Sequence, residues 1–260
     1  MNALLAAYLD EFFVFVFVLS RLSGLMMTAP ILGARIVPLQ IRALLAVALA
    51  LLVTPLFWSM PIIQPSNIID LGVLLAQEIL LGVTLGLGVM ILFMGLQVAG
   101  QTVAQMSALS LADIFDPTFE TSLSVFSQLF EIIALSCFLI IGGHRMVMSG
   151  LLETFRWMAP GEITFTQGIV STLTEITTQS FLLGIRAAAP TIAALLMSIL
   201  VLGLISRTLP QLNILAVGFS VNAVVLIGTI SLSLGTIVWL FQHDVEPTIE
   251  SLLNAFVAKG

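Results

Sequence analysis

The feature that most constrains this chain is a pair of stretches, residues 79–112 and 208–242, that contain no charged side chain. As a single helix rising 1.5 Å per residue, each would be roughly 50 Å long, whereas the hydrocarbon core of a bilayer is roughly 30 Å thick. A water-soluble domain carries roughly 25% charged residues, and this chain has 8%. The two stretches therefore predict membrane-class helices that tilt, break or extend beyond the bilayer.

Hydrophobic runs predict the rest of the architecture. Six long apolar segments are separated by proline, glycine or clustered charge: 12–32, 43–60, 70–112, 121–143, 181–206 and 208–242. The breaks include the Gly142-Gly143 pair and the acidic stretch 113–120. We therefore expect an all-α, polytopic membrane-class protein built of helical hairpins, with residues 1–260 forming a single helical unit.

Two regions lie outside that pattern. Residues 160–180 are rich in threonine and carry apolar residues at helical spacing, which predicts an amphipathic helix near the membrane interface. The first apolar run follows Asp10-Glu11, whereas a signal peptide has a basic region before its apolar run. We expect this run to be retained as the first helix.

Four ionisable residues interrupt the apolar runs, namely Arg21, Glu78, Glu131 and Arg186. A charge at the bilayer centre costs at least about 2.5 kcal/mol, so such a group needs a partner or a wet cavity. The favoured interpretation is ion pairing, within the subunit or across subunit boundaries. A proton or ion relay and snorkelling at the interface are the alternatives.

Small residues predict where helices approach closely. The patterns Gly82-xxx-Gly86 and Ser231-xxx-Gly235 allow backbones to touch, which is how helices associate in a membrane. The contact could lie within the subunit or against a partner.

The motifs of enzymes are missing from the sequence. It contains no phosphate-binding loop and no metalloprotease or hydrolase signature, and its two histidines, His144 and His243, are separated from each other and from the single cysteine, Cys137. The net charge is -6 with no basic patch, which argues against nucleic acid as a partner. We expect no enzymatic activity, no cofactor and no metal site.

Four motifs in a fixed order resemble the FliR family of flagellar export-gate proteins, whose pattern related injectisome subunits share. They are Gln97-Val-Ala-Gly-Gln-Thr-Val-Ala-Gln-Met106, Leu111-Ala-Asp-Ile-Phe-Asp116-Pro117, Gly142-Gly143-His144, and the stretch from Ser206-Arg207 through Gly218-Phe219. The resemblance covers nearly the whole chain. The residues that serve as family landmarks are His144, Arg207, Pro210, Gln211 and Asn213.

This resemblance implies a subunit of the type III secretion core. In that core FliR joins FliP and FliQ in a helical, ring-like assembly through which unfolded flagellar proteins are exported, with FlhB and FlhA as further partners. Residues 1–180 would be the FliP-like part, and residues 181–260 the FliQ-like hairpin and tail. The expected location is the bacterial inner membrane within the flagellar basal body, in contact with lipid, with the core raised toward the periplasmic side.

The resemblance also implies a pore plug in the middle of the chain. The apolar residues that match it are Met106, Leu109, Leu111, Ile114 and Phe115, followed by Asp116 and Pro117. Proline disfavours helix in the residue before it, and non-helical backbone at membrane depth needs protein or a water-filled cavity around it. The alternative is an ordinary inter-helix turn capped by Asp116.

The competing class is a small secondary transporter or permease, in which midplane charges and a broken helix form a substrate site. Such proteins are built from internal repeats, and no convincing repeat is visible here. An intramembrane enzyme lacks support because the chain has no paired catalytic groups.

Overall fold

The computed structural model describes residues 2–30, 37–58, 64–107, 124–161, 167–209, 211 and 213–257. Within those ranges every regular element is a helix, which confirms the all-α prediction. The elements are α1 (Asn2–Thr28), α2 (Leu39–Val53), a 3₁₀ turn (Thr54–Phe57), α3 (Ile68–Met106), α4 (Val125–Ile140), α5 (Gly143–Trp157), α6 (Gln167–Thr208) and α7 (Ile214–Val257).

Five helices in the described part are long and apolar enough to cross a membrane, or six if α4 and α5 together count as one span. This agrees with the six apolar segments expected from the sequence. Helices α3, α6 and α7 contain 39, 42 and 44 residues, so each is roughly 60 Å long. Because the bilayer core is roughly 30 Å thick, these helices must tilt strongly or project beyond it.

Helix α6 corrects one predicted boundary. The sequence suggested a separate amphipathic helix over 160–180 and a new segment from 181, but residues 167–208 form one continuous helix. No glycine or proline lies between 169 and 183 to end it. Two hydroxyl groups of this stretch bond carbonyls of their own helix: that of Ser171 bonds the Gly168 oxygen at 2.8 Å, and that of Thr174 bonds the Val170 oxygen at 2.9 Å.

Helix α5 was missed because it is not an apolar run. It carries Arg145, Glu153 and Arg156 on the side away from its buried residues. It begins after Gly142, which has a φ of +75°, a left-handed conformation that glycine adopts without strain. The predicted break at Gly142-Gly143 is therefore present.

Two compact units make up the fold. The first consists of Met1–Ile91, Gly142–Ile176 and Val245–Gly260, and the second consists of Leu92–Ile141 and Thr177–Asp244. The chain thus enters the first unit three times. The predicted division into a FliP-like part and a FliQ-like hairpin concerns resemblance to other proteins and stays a prediction.

The first unit is built on a close crossing of α1 and α3. A Cβ atom at Gly82 would collide with the backbone of Arg21, and one at Gly24 would collide with the backbone of Ile79. At Gly86 the obstacle would be the Thr28 side chain. The Gly82-xxx-Gly86 pattern therefore marks a helix contact within the chain.

The end of α7 completes the first unit. Leu252 is buried against Gly88 of α3, where its Cγ atom lies 3.0 Å from the position a Cβ would take. Leu253 is seated in the same way against Gly150 of α5. The last turns of the chain therefore pack on helices from its beginning and middle.

The second unit is built around Phe93 of α3. Its ring meets those of Phe138 and Phe241 edge-to-face, with centroids 5.5 Å and 5.3 Å apart, the geometry that aromatic pairs prefer. Gly95 allows α3 to touch α6 at Ser180. On α7, a Cβ at Gly235 would meet nothing within 4 Å, so the Ser231-xxx-Gly235 contact stays a prediction for a partner.

Candidate functional site

A fully buried ion pair lies at the centre of the first unit. Arg21 of α1 and Glu78 of α3 are both 0% exposed. The Nε atom of Arg21 donates to Oε2 of Glu78 at 2.6 Å, and its Nη2 atom donates to Oε1 at 3.1 Å. This two-bond geometry matches the planar guanidinium to the carboxylate and is the strongest form of such a pair.

Two further residues form hydrogen bonds with the pair, and a third covers it with an aromatic ring. The Nη1 atom of Arg21 donates to Oγ1 of Thr154 at 2.9 Å, and the backbone N–H of Gly161 donates to Oε1 of Glu78 at 2.7 Å. The Phe155 ring covers the guanidinium, with its centroid 3.9 Å from Cζ, a favourable cation–π distance. We call these five residues the buried charge cluster.

The backbone of α5 and of the turn after it aims these groups at the pair. Thr154 and Phe155 lie on the buried side of α5, and the hydroxyl of Thr154 is within 2.6 Å of the Leu151 oxygen. Gly161 has a φ of +87°, a conformation that costs other residues roughly 1–2 kcal/mol. Glycine at this position lets the N–H point at a buried carboxylate.

The buried charge cluster joins elements that are far apart in the sequence. It links α1, α3, α5 and the turn at Gly161, and Phe155 in turn contacts Phe57 of the 3₁₀ turn at 4.9 Å between ring centroids. The charges of its acid and its base oppose each other, and every side-chain nitrogen of Arg21 and both carboxylate oxygens of Glu78 have a hydrogen-bond partner. The arrangement is suited to holding helices in position.

The other two predicted charges lie in the second unit. Glu131 is half-buried on α4 and Arg186 is exposed on α6, and neither belongs to the buried charge cluster. An assembly role for all four charges stays a prediction.

The family landmarks that the structure describes lie at helix ends. His144 is exposed in the first turn of α5, and Arg207 is exposed in the last turn of α6. Asn213 precedes α7, and its Oδ1 atom accepts a bond from the backbone N–H of Ala216 at 3.3 Å, as an N-cap does. Gln211 is exposed, and Pro210 lies outside the described residues.

Most of the predicted pore plug lies outside the described residues. Met106 is the last residue of α3 and is half-buried. The others, Leu109, Leu111, Ile114, Phe115, Asp116 and Pro117, belong to residues 108–123, of which the structure describes nothing. Their role stays a prediction.

The helices on either side of residues 108–123 are joined by a polar contact. Oε1 of Gln101 on α3 accepts bonds from the Ser124 N–H at 3.2 Å and from the Ser127 hydroxyl at 3.1 Å. The Ser127 hydroxyl is also 3.0 Å from the Gln97 carbonyl oxygen. Ser124 caps α4 by accepting from the Ser127 N–H at 3.1 Å. We call Gln101, Ser124 and Ser127 the stem clamp.

Sequence reasoning overlooked several of these residues. Thr154, Phe155 and Gly161 were not singled out, because a threonine and a phenylalanine on an amphipathic helix resemble any others. The available signal was the spacing of Val147, Leu151 and Phe155 in a charged stretch, which predicts a helix with one buried face. In the described ranges no group of three or more His, Cys, Asp or Glu residues could hold a metal ion.

The fold and the cluster define a class: an all-helical membrane protein whose first helices are fixed by one buried ion pair. The model of the family described as bacterial export proteins, family 1, matches residues 12–248. The chain therefore belongs to this family of bacterial export proteins.

Individual relatives agree with the family match. The chain is similar to the flagellar biosynthetic protein FliR of Escherichia coli (strain K12), with 32% identity over 80% of this chain and 78% of the relative. It is 30% identical to the FliR protein of Aquifex aeolicus (strain VF5) over 91% and 92% of the two chains. With the FliR protein of Bacillus subtilis (strain 168), 26% identity extends over 97% and 98%.

These matches confirm the FliR family prediction. The chain is a membrane component of the bacterial flagellar export apparatus.

Proposed function

We propose that this chain is a subunit of the core export gate of the type III secretion apparatus. In this proposal it assembles with FliP and FliQ into a helical, ring-like channel in the inner membrane and basal body, raised toward the periplasmic side. FlhA and FlhB are its further partners, and unfolded flagellar proteins are its cargo. A loop including residues 106–117 plugs the closed pore.

The observation that carries the proposal is the apolar surface of α6 and α7. In each of these helices only 28% of the most apolar 18-residue stretch is buried. Large side chains such as Leu204, Val224 and Leu232 are exposed. Because both helices are about twice as long as the hydrocarbon core is thick, lipid can cover only part of this surface. Partner helices are the natural cover for the rest.

The proposed plug works by excluding water and ions with apolar atoms. Ile114 and Phe115 carry no charge, and hydrophobic constrictions close channels by dewetting. Burying one such side chain is worth roughly 1.5–3 kcal/mol. Two or three contacts of this size would favour the closed state and still yield to an arriving substrate chain.

Deletion of residues 108–119 should make the channel leak although the subunits still assemble. The measurement is the ion permeability of vesicles containing the purified core of this chain with FliP and FliQ, wild type against deletion. Assembly is verified by co-purification of all three proteins.

An inter-helix turn would give a different result from a plug. Its truncation would lower stability without raising conductance. Equal and low permeability in the two samples would contradict the plug.

A further inference from the structure

We propose that the side-chain amide of Asn222 on α7 donates a hydrogen bond to a helix of a neighbouring subunit. The partner helix presents a carbonyl or side-chain oxygen to this amide from an otherwise apolar surface. This inference rests on the proposed function, because the neighbouring subunit is FliP or FliQ of the same core. It is carried by an unpaired donor at the contact between α6 and α7.

Asn222 is joined to α6 through its side-chain oxygen. The Ser198 hydroxyl on α6 donates to Oδ1 of Asn222 at 2.8 Å. A hydroxyl in a helix commonly bonds a carbonyl of its own helix, as that of Ser231 does to the Ile227 oxygen at 2.8 Å. Ser198 instead bonds across to α7. This bond fixes the amide with its oxygen toward α6.

The amide nitrogen of Asn222 has no acceptor within the described part of the chain. An asparagine amide carries two N–H donors, and the bond from Ser198 uses only the oxygen. Asn222 is 6% exposed. Among the described residues, Thr191 Oγ1 is the one fully enclosed side-chain polar atom without a hydrogen-bond partner, so the Asn222 nitrogen must reach the surface. Its N–H groups are therefore available to a group outside the chain.

The surface around this donor is apolar. Met197, next to Ser198, is exposed, and so are Val221 and Val224 on α7. An amide in apolar surroundings loses the hydrogen bonds that water would give it, and leaving it unpaired costs free energy. Such a surface is covered by lipid or by protein, and only a cover with an acceptor satisfies Asn222.

The position of Asn222 along the helices favours protein over lipid. Asn222 lies nine residues after Asn213, at the start of α7, and Ser198 lies nine residues before Arg207, at the end of α6. Each interval is about 13 Å in a helix. With the polar ends Arg207 and Asn213 at the lipid head groups, Asn222 would lie near the middle of a hydrocarbon core roughly 30 Å thick. Hydrocarbon chains carry no acceptor, whereas a neighbouring helix can supply one.

Two substitutions separate the contact with a partner from the bond within the chain. Ser198→Ala and Asn222→Leu both remove the bond between α6 and α7, but only Asn222→Leu also removes the outward donor. We expect Asn222→Leu to weaken assembly of the core about tenfold relative to Ser198→Ala, which is the effect of losing one hydrogen bond. The measurement is the amount of FliP and FliQ that co-purifies over a dilution series. Thermal unfolding of the isolated chain in detergent should be the same for the two variants.

A matched control and a rescue variant accompany this pair. Ser233 is buried on α7 like Asn222, but its hydroxyl bonds the Thr229 oxygen of its own helix at 2.8 Å. Ser233→Ala should therefore assemble as well as wild type. Asn222→Gln keeps the amide donors and should recover more FliP and FliQ than Asn222→Leu. Equal losses in Ser233→Ala and Asn222→Leu would overturn the inference.

Photo-cross-linking identifies what covers Asn222. Phe219 is half-buried on α7 and lies three residues before Asn222, on the same face of the helix. A photo-reactive phenylalanine derivative at this position, in the purified core reconstituted in lipid vesicles, should cross-link to FliP or FliQ. A cross-link to lipid alone, or to a second copy of this chain, would contradict the inference.

The same experiments distinguish the inference from the proposed function. If the wild-type chain does not co-purify with FliP and FliQ, the proposed function is wrong and the inference falls with it. If the wild type assembles and Asn222→Leu assembles as well as Ser198→Ala, the proposed function stands and the inference is wrong. If Asn222→Leu fails to fold, the cross-link at position 219 decides.

Discussion

Arg21 shows how a single charge can be tolerated in an apolar core. Alone in such surroundings a guanidinium costs several kcal/mol, but here each of its three nitrogens has a hydrogen-bond partner. Glu78 takes two of its N–H groups, Thr154 takes a third, and the Phe155 ring lies over its plane. The position requires arginine in particular, because lysine lacks the flat, two-pronged group that this carboxylate accepts.

Removing one member of the pair should be far more damaging than removing an exposed charge. Glu78→Gln leaves the arginine buried without a counter-charge, and we expect the free energy of unfolding to fall by about 3–5 kcal/mol. Arg186→Gln, at an exposed position, should change it by less than about 0.5 kcal/mol. Thermal unfolding of the detergent-solubilised protein would measure both.

Charge reversal tests the predicted assembly role of all four ionisable residues. Single reversals at Arg21, Glu78, Glu131 and Arg186 should each reduce recovery of the core with FliP and FliQ, as measured by co-purification. Normal recovery and normal export by all four variants would contradict that role.

At this scale the sequence indicated the charges but not their surroundings. Arg21 and Glu78 were visible because a charge stands out in an apolar run. Thr154 and Gly161 were not, because a hydroxyl and a backbone N–H have no distinctive pattern until the fold brings them to a carboxylate. The partner of a buried charge follows from tertiary packing, which one sequence does not encode locally.

At the scale of elements, glycine decides which helices touch. On α3, Gly82 and Gly86 face α1, and the same helix carries Gly95 where it touches α6. A membrane offers no hydrophobic drive for helices to associate, so close van der Waals contact supplies much of the attraction. Glycines with open space around them, such as Gly235, do not mediate a close helix contact within the chain.

Alanine substitutions at Gly82 and Gly235 should have opposite effects on the isolated chain. At Gly82 the added Cβ meets backbone atoms that cannot rotate away, and we expect a loss of about 1–3 kcal/mol. At Gly235 the space is open, and the gain in helix propensity should be up to about 1 kcal/mol. Thermal unfolding in detergent measures both, and a stable Gly82→Ala variant would contradict the close crossing.

The helices themselves were predicted unevenly. Apolar runs located α2, α3 and α4, because length and lack of charge identify membrane-class helices directly. For α7 the predicted run ended at residue 242, whereas the helix continues to Val257. Apolar runs failed for α5, because its charged residues lower the mean hydropathy of a helix that has one buried face. They also failed for the start of α6, where the threonine-rich composition suggested a break that is absent. A helix ends where its backbone is interrupted, and threonine does not interrupt it.

At the scale of the whole molecule, the chain returns to its first unit after building its second. Leu252 and Leu253 complete the packing around Gly88 and Gly150. This return was not predictable from the sequence, since a helix end with apolar residues looks the same whether it faces lipid, a partner or an earlier part of the chain.

Shortening Leu252 should therefore destabilise a unit whose first helix lies more than 200 residues away. Leu252→Ala removes a buried side chain and should cost about 2–5 kcal/mol. Asn254→Ala, at an exposed position two residues on, is the matched control. Protection of α1 in hydrogen exchange is the measurement, and unchanged protection in Leu252→Ala would contradict the packing.

This return sets the order of events during synthesis. Translation runs from the N-terminus, so α1 and α3 leave the ribosome long before Val245–Val257 exists. Until residues 245–257 of α7 have been made, the first unit lacks the side chains that cover Gly88 and Gly150. The first unit therefore cannot be completed before residues 245–257 have been made. A ribosome that stopped after Asp244 would release a protein in which α1 to α6 are complete. Its first unit would still lack the packing of Leu252 and Leu253.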